Sequence, residues 1–312
     1  MDIILHLGAH RTGTTTFQRF VHKNRALLGA QNISYWGPKT TRKGLFEGVI
    51  PNAFLPGPRL SNAERGEGRV EMRLYDLNAE GCQTLLVSDE NFMGSVRGNL
   101  RDGEIYPAIG ERMARYSRAF GHDVAKIVLC IRSLDTFWAS GMAFSVARGH
   151  NVVGQKKVAE IANTRRSWRD VITDLACAVP NADIRVMPFE SHRANPNTVL
   201  SDGMDINCSY DADFEWTNRS PDISELRQIL SDRGQDPDQI PEGTGAWMPF
   251  SDAMAQTLQE QYADDLFWLS SGADGLARLT QDLKAANRGK ARQAAFMRGQ
   301  DYDEKGQLED TG

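Results

Sequence analysis

No apolar run in the 312-residue chain approaches the ~18 residues that a membrane-spanning helix needs, so none is expected. The first residues also lack the charged and apolar regions of a secretory leader, because a strand-like run already begins at Ile3. Cysteine is scarce. Cys82, Cys130, Cys177 and Cys208 show no Cys-x-x-Cys spacing, which argues against a disulfide framework or a metal site. Two of them lie in apolar runs, so buried free thiols in a reducing, cytoplasmic compartment are expected. Positive charge is not in excess either: 36 Lys and Arg against 41 Asp and Glu give a net charge of −5. That balance disfavours non-specific nucleic-acid binding and leaves room only for a local basic cleft. No internal repeat is present. With 40% hydrophobic and 25% charged residues, the composition suits a soluble enzyme with one substantial core.

One further absence shapes the reading of the first eighteen residues. Ile3-Ile4-Leu5-His6-Leu7 reads as a strand, and Gly8 to Gly13 as a loop. Phe17, Phe20, Val21, Leu27 and Leu28 then recur at helical spacing. A strand-loop-helix start of this kind aims backbone N–H groups and a helix N-terminus at one anion. Gly8 and Gly13 match the glycines of the G-x-x-x-x-G-K-[ST] phosphate loop, but Thr14 occupies the lysine position. Without that lysine an ordinary ATPase or kinase is disfavoured. The positive charge sits at Arg11 instead, followed by four candidate donors, Thr12, Gly13, Thr14 and Thr15.

Beyond this start the chain alternates strand-like and helix-like segments. Strands are expected at 3–7, 84–88, 126–131 and 184–188. Helices are expected at 15–29, 104–120, 135–148, 157–177, 222–232 and 251–269. Such alternation predicts an α/β fold with a mostly parallel central sheet flanked by helices. Residues 39–81 carry Pro51, Pro56, Pro58, Gly57, Gly66 and Gly68, which predicts a loop-rich excursion near the acceptor face. Residues 1–286 are expected to form one domain, and the polar segment 287–312 a disordered tail.

The buried-strand pattern Lys126-Ile127-Val128-Leu129-Cys130-Ile131 runs directly into Arg132, and Ser140 follows eight residues later. Together with Arg11-Thr12-Gly13-Thr14-Thr15, this arrangement resembles sulfotransferases that use 3′-phosphoadenosine 5′-phosphosulfate (PAPS), in particular bacterial proteins similar to carbohydrate sulfotransferases. The resemblance implies a P-loop-like, three-layer fold. It also implies that residues 11–15 hold the 5′-phosphosulfate and that Arg132 and Ser140 hold the 3′-phosphate. No metal is required, and Arg11 is expected to stabilise charge on the leaving group. Several carbohydrate sulfotransferases have Ser-x-Glu at the end of a strand, with the Glu as general base. Ser88-Asp89-Glu90 matches that pattern, making Glu90 the candidate base, with Asp89 and His10 as substitutes. The implied reaction is sulfuryl transfer to a hydroxyl or amine of a small-molecule or saccharide acceptor. A nucleotide-dependent kinase and a non-catalytic nucleotide-binding protein remain as alternatives.

Overall fold

The computed structural model describes residues 1–51, 59–192, 195–207, 214, 217 and 219–280. Within them, six strands form one sheet: β1 (Asp2–His6), β2 (Ile33–Trp36), β3 (Thr84–Ser88), β4 (Val124–Ile131), β5 (Asp183–Pro188) and β6 (Arg278–Leu279). Their order is β2-β3-β1-β4-β5-β6, and every pairing is parallel. The principal helices are α1 (Thr14–Lys23), α2 (Arg59–Ala79), α3 (Val96–Asp102), α4 (Ile109–Ala119), α5 (Leu134–Ala147), α6 (Gln155–Ala162), α7 (Trp168–Ala178), α8 (Ile223–Asp232) and α9 (Asp252–Ser270).

The central strands are apolar on both faces, as parallel strands under two helical layers must be. Alternation sorts their side chains between the layers. Ile4, Leu86, Val128, Cys130 and Met187 pack with Phe17, Phe20 and Val21 of α1 on one face. Ile3, Leu5, Leu85, Val87, Ile127 and Leu129 pack on the other, with Met113, Trp138, Trp168 and Leu175. The expected α/β architecture with a mostly parallel central sheet is therefore present. Chain order reverses between β3 and β4, which flank β1, so a crevice opens beyond the carboxyl ends of these three strands.

Three expectations need correction. The stretch 39–81 is not loop-rich throughout, because α2 occupies Arg59–Ala79. The strongest breakers lie between 51 and 58, and 52–58 fall outside the described residues. Gly66 and Gly68 are interior to α2, where each costs ~1 kcal/mol relative to Ala. Gly66 is needed there, since a Cβ would meet the Glu47 carbonyl oxygen at 2.8 Å and the Val49 side chain at 2.9 Å. The segment 104–120 is helical only from Ile109, because Tyr106 adopts a positive φ of 45° just before Pro107. The stretch 157–177 is divided between α6 and α7, where Ser167 and Asp170 form a capping box that starts α7.

Cys82 and Cys130 are buried and free as expected, but Cys177 is exposed, on the outer side of α7. Cys208 and the segment 281–312, hence the expected tail, lie outside the described residues. No described helix is long and apolar enough to cross a membrane.

Candidate active site

At the carboxyl edge of the sheet, a cavity of about 730 Å³ is lined by residues from the first loop, the β3 end and α5, and by Thr217, Arg219 and Ser220. The first loop leaves β1 still paired with β4: Leu7 and Ala9 donate their N–H groups to the carbonyls of Val128 and Cys130 at 2.9 and 3.0 Å. It then turns through Arg11 (φ 70°) and Gly13 (φ 81°) into α1. Gly8 permits the tight packing beneath this turn, because a Cβ there would stand 3.0 Å from the Thr14 hydroxyl and 3.1 Å from the His6 ring.

The four expected donors do not share one role. Thr12 and Thr14 turn their hydroxyls inward, donating to the carbonyls of Ala9 at 2.7 Å and Gly8 at 3.2 Å. The Thr12 N–H also returns to Ala9. Thr12 is buried and does not line the cavity, and its hydroxyl bond to Ala9 holds the loop in shape. Gly13, Thr14 and Thr15 do line it, at the positive end of α1.

Arg11 extends across the cavity to α5. Its Nε donates to Ser140 Oγ at 3.1 Å, one terminal nitrogen donates to Ser220 Oγ at 3.0 Å, and the guanidinium lies over the Phe144 ring. Burial, then the nearby charges of Arg132 and Arg148, bring its pKa down to about 10, which leaves it charged at neutral pH. Arg132 donates to the Arg11 carbonyl at 3.1 Å and to the Thr136 hydroxyl at 3.0 Å, with its guanidinium over Phe189. The two arginines that sequence separates by 121 positions thus share one wall with Ser140. Burial lowers the Arg132 pKa, against the charges of Glu190 and Asp135.

The backbone at Arg132 is clamped. Trp168 Nε1 donates to its carbonyl at 2.7 Å, and the following N–H, of Ser133, donates to Glu190 at 2.9 Å. Tyr262 from α9 holds the other Glu190 oxygen at 2.9 Å.

On the opposite wall Glu90 lines the cavity and Asp89 does not. Glu90 accepts from Gln18 Nε2 and from Arg42, both at 2.9 Å. Burial works to raise its pKa, but the Arg42 charge and the local hydrogen bonds outweigh this and hold it below the ordinary carboxylate value. Glu90 is therefore an ionised acceptor, with lone pairs remaining on both oxygens. Asp89 is buried and accepts from the Thr41 hydroxyl, from two Arg42 nitrogens and from the Asn91 N–H. It anchors the turn.

His10 lines the cavity with both ring nitrogens engaged. Its Nδ1 is 2.9 Å from the Tyr106 hydroxyl, which also accepts the His10 N–H at 2.8 Å. Tyr106 must then donate to Nδ1, so Nε2 carries the proton and donates to Asn91 at 3.2 Å. Burial depresses the His10 pKa, partly countered by Glu90, so the ring is neutral. Both features weaken His10 as a base.

Gln18, Arg42, Phe144, Arg148 and Ser220 also line the cavity without having been singled out as site residues. One signal was present: Ser140, Phe144 and Arg148 fall at i, i+4 and i+8, along one stripe of α5 and its C-cap. Gln18 stands four positions after Thr14 by the same rule. Arg42 has no such signal, because it comes from an irregular turn containing Gly44 at φ 84°.

No protein-family model matches the chain, and a search of curated proteins finds no match. Among solved structures, a sulfotransferase from Alicyclobacillus acidocaldarius is similar over 90% of this chain and 97% of that one, at 16% identity and a TM-score of 0.42.

Proposed function

We propose that the protein is a PAPS-dependent sulfotransferase acting on a hydroxyl or amine. The observation that carries this reading is the meeting, on one cavity wall, of the Arg11–Thr15 loop with Arg132 and Ser140. Two anion-binding elements so placed suit a donor with phosphate at both its 5′ and 3′ positions. Gly13, Thr14 and Thr15 cradle the phosphosulfate at the head of α1. Arg132 offers a charge-assisted fork to the 3′-phosphate, and Ser140 a hydroxyl.

In the reaction the acceptor oxygen or nitrogen bonds to sulfur as the bond from sulfur to the bridging phosphate oxygen breaks. Arg11 stabilises the negative charge that collects on the departing 3′-phosphoadenosine 5′-phosphate (PAP). As a guanidinium it stays charged and acts without giving up a proton. The ionised Glu90 takes the proton from the acceptor. Positioning and electrostatics supply the acceleration, as in phosphoryl transfer.

The test is ligand selectivity in thermal denaturation. PAP at a hundredfold its Kd should stabilise the fold by ~2.7 kcal/mol, well beyond the effect of ATP·Mg²⁺ at equal concentration. Equal or better protection by ATP·Mg²⁺ would favour the kinase reading and overturn this one.

A further inference from the structure

Gln18 lines the cavity and is nevertheless buried. A buried primary amide has two N–H groups to place, and Gln18 places them on the β3 end. Its Nε2 donates to Glu90 Oε2 at 2.9 Å and, at 3.4 Å, to the carbonyl and the Oγ of Ser88. Ser88 is fully buried, and its Oγ lies 2.8 Å from Nδ1 of His6 on β1. A line of hydrogen bonds therefore runs from a core strand through Ser88 and Gln18 to Glu90.

Glu90 has a second anchor of a different kind. Arg42 reaches Oε1 from an irregular turn, is exposed, and divides its donors between Asp89 and Glu90. Arg42 brings charge, whereas Gln18 is neutral and brings constraint. Gln18 also stands on α1, the helix whose first turn, at Thr14 and Thr15, faces the cavity. Four residues separate Thr14 from Gln18, which is about 6 Å along the helix axis. One rigid element thus carries the anion cradle at its head and holds Glu90 from its second turn. We infer that Gln18 is a positioning residue, which fixes Glu90 at a set distance from the sulfuryl group cradled at the head of α1.

This inference rests on the sulfuryl-transfer reading, with Glu90 as base, and adds the residue that ties base to donor. Any shift of α1 moves the cradle and the Glu90 anchor together. Without Gln18, Glu90 keeps its partner Arg42 but is held only from the exposed side. Gln18 itself moves no proton, because an amide does not titrate; its effect passes through Glu90.

The experiment uses the full-length protein and PAPS, with water as the acceptor. The water oxygen bonds to sulfur, the bond from sulfur to the bridging phosphate oxygen breaks, and Glu90 takes the proton, releasing sulfate and PAP. Sulfate release is measured for the wild type, Q18M, E90Q and the double variant Q18M/E90Q. Methionine keeps the length of glutamine and removes its donors, so Q18M should bind PAP as the wild type does and release sulfate ~10–100-fold more slowly. E90Q should be slower still. The double variant should be no slower than E90Q, because Gln18 acts only through Glu90. A merely structural role for Gln18 would make the two losses multiply. Q18N, whose amide stops one methylene short of Glu90, should lose rate as Q18M does, and it carries the test if Q18M does not fold. Wild-type rates in these variants, or multiplying losses in the double variant, would overturn the inference. An E90Q protein as fast as the wild type removes Glu90 as base. A wild type that binds no PAP or releases no sulfate counts against the sulfuryl-transfer reading itself.

Discussion

Glu90 and Asp89 are chain neighbours with opposite prospects, because the strand end turns one carboxylate toward the cavity and the other into the protein. Glu90→Gln keeps the shape and can still accept from Arg42, but it cannot take a proton. Sulfuryl transfer should fall ~10²–10⁴-fold, with PAP affinity close to wild type. Asp89→Asn should act on stability instead. It replaces an anion that receives Thr41, Arg42 and Asn91 donors, and losing charge-assisted bonds of this kind costs ~1.5–3 kcal/mol. A lowered melting temperature with near-normal turnover per folded molecule is the expected result. Normal stability with lost turnover would reassign the base to Asp89. Arg132→Ala should weaken PAP by ~1.5–3 kcal/mol and spare adenosine 5′-phosphosulfate, which lacks the 3′-phosphate. Equal losses for both ligands would make Arg132 a support of the loop through its bond to the Arg11 carbonyl.

At the scale of elements, the site depends on a helix that does not enter it. Asp265 on α9 accepts from Ser167 Oγ and from the N–H groups of Trp168 and Arg169, so it caps α7 from another element. Trp168 in turn fixes the Arg132 carbonyl. Asp265→Ala should therefore cost ~1–2 kcal/mol as a lost helix cap and also loosen PAP. Tight PAP binding in a destabilised variant would show that Arg132 holds its place without α7. This linkage was not legible in the sequence, because residues 167 and 265 share no spacing rule. The strands β1, β3, β4 and β5 were legible, since burial on two faces demands continuous apolar runs. The loop was legible through Gly8 and Gly13, yet the Thr12 side chain points inward, which no donor pattern reveals. Helix α2 was hidden because its buried residues Ala63, Val70 and Leu77 are sparse and its glycines read as breakers. The sequence patterns that succeeded report local periodicity, whereas the link from Asp265 through Trp168 to Arg132 depends on partners far along the chain.

For the molecule as a whole, two buried groups give stability opposed dependences on pH. His6 lies between Ser88, Cys130 and the Phe17 ring, and burial lowers its pKa to about 3, slightly countered by Glu90. The unfolded chain protonates this group near 6.5, so its contribution is complete above that value and is lost as pH falls toward 3. Between pH 7 and 5 the loss is ~2 kcal/mol, taking 1.36 kcal/mol per pH decade. Asp265 works the other way. Burial raises its pKa to about 6 despite its three donors, so its penalty is complete above pH 6 and is relieved as pH falls toward 3.8. The relief between pH 7 and 5 is ~1 kcal/mol. Wild-type stability should fall between pH 7 and 5, because His10, also held neutral by burial, loses in the same direction as His6. His6→Gln removes the His6 titration, so from pH 7 to 5 its stability should fall by ~2 kcal/mol less than that of the wild type, whatever the substitution costs at either pH. Urea denaturation at both values measures the slope directly. A His6→Gln variant that loses stability on acidification as the wild type does would mean that His6 is not held neutral in the folded protein.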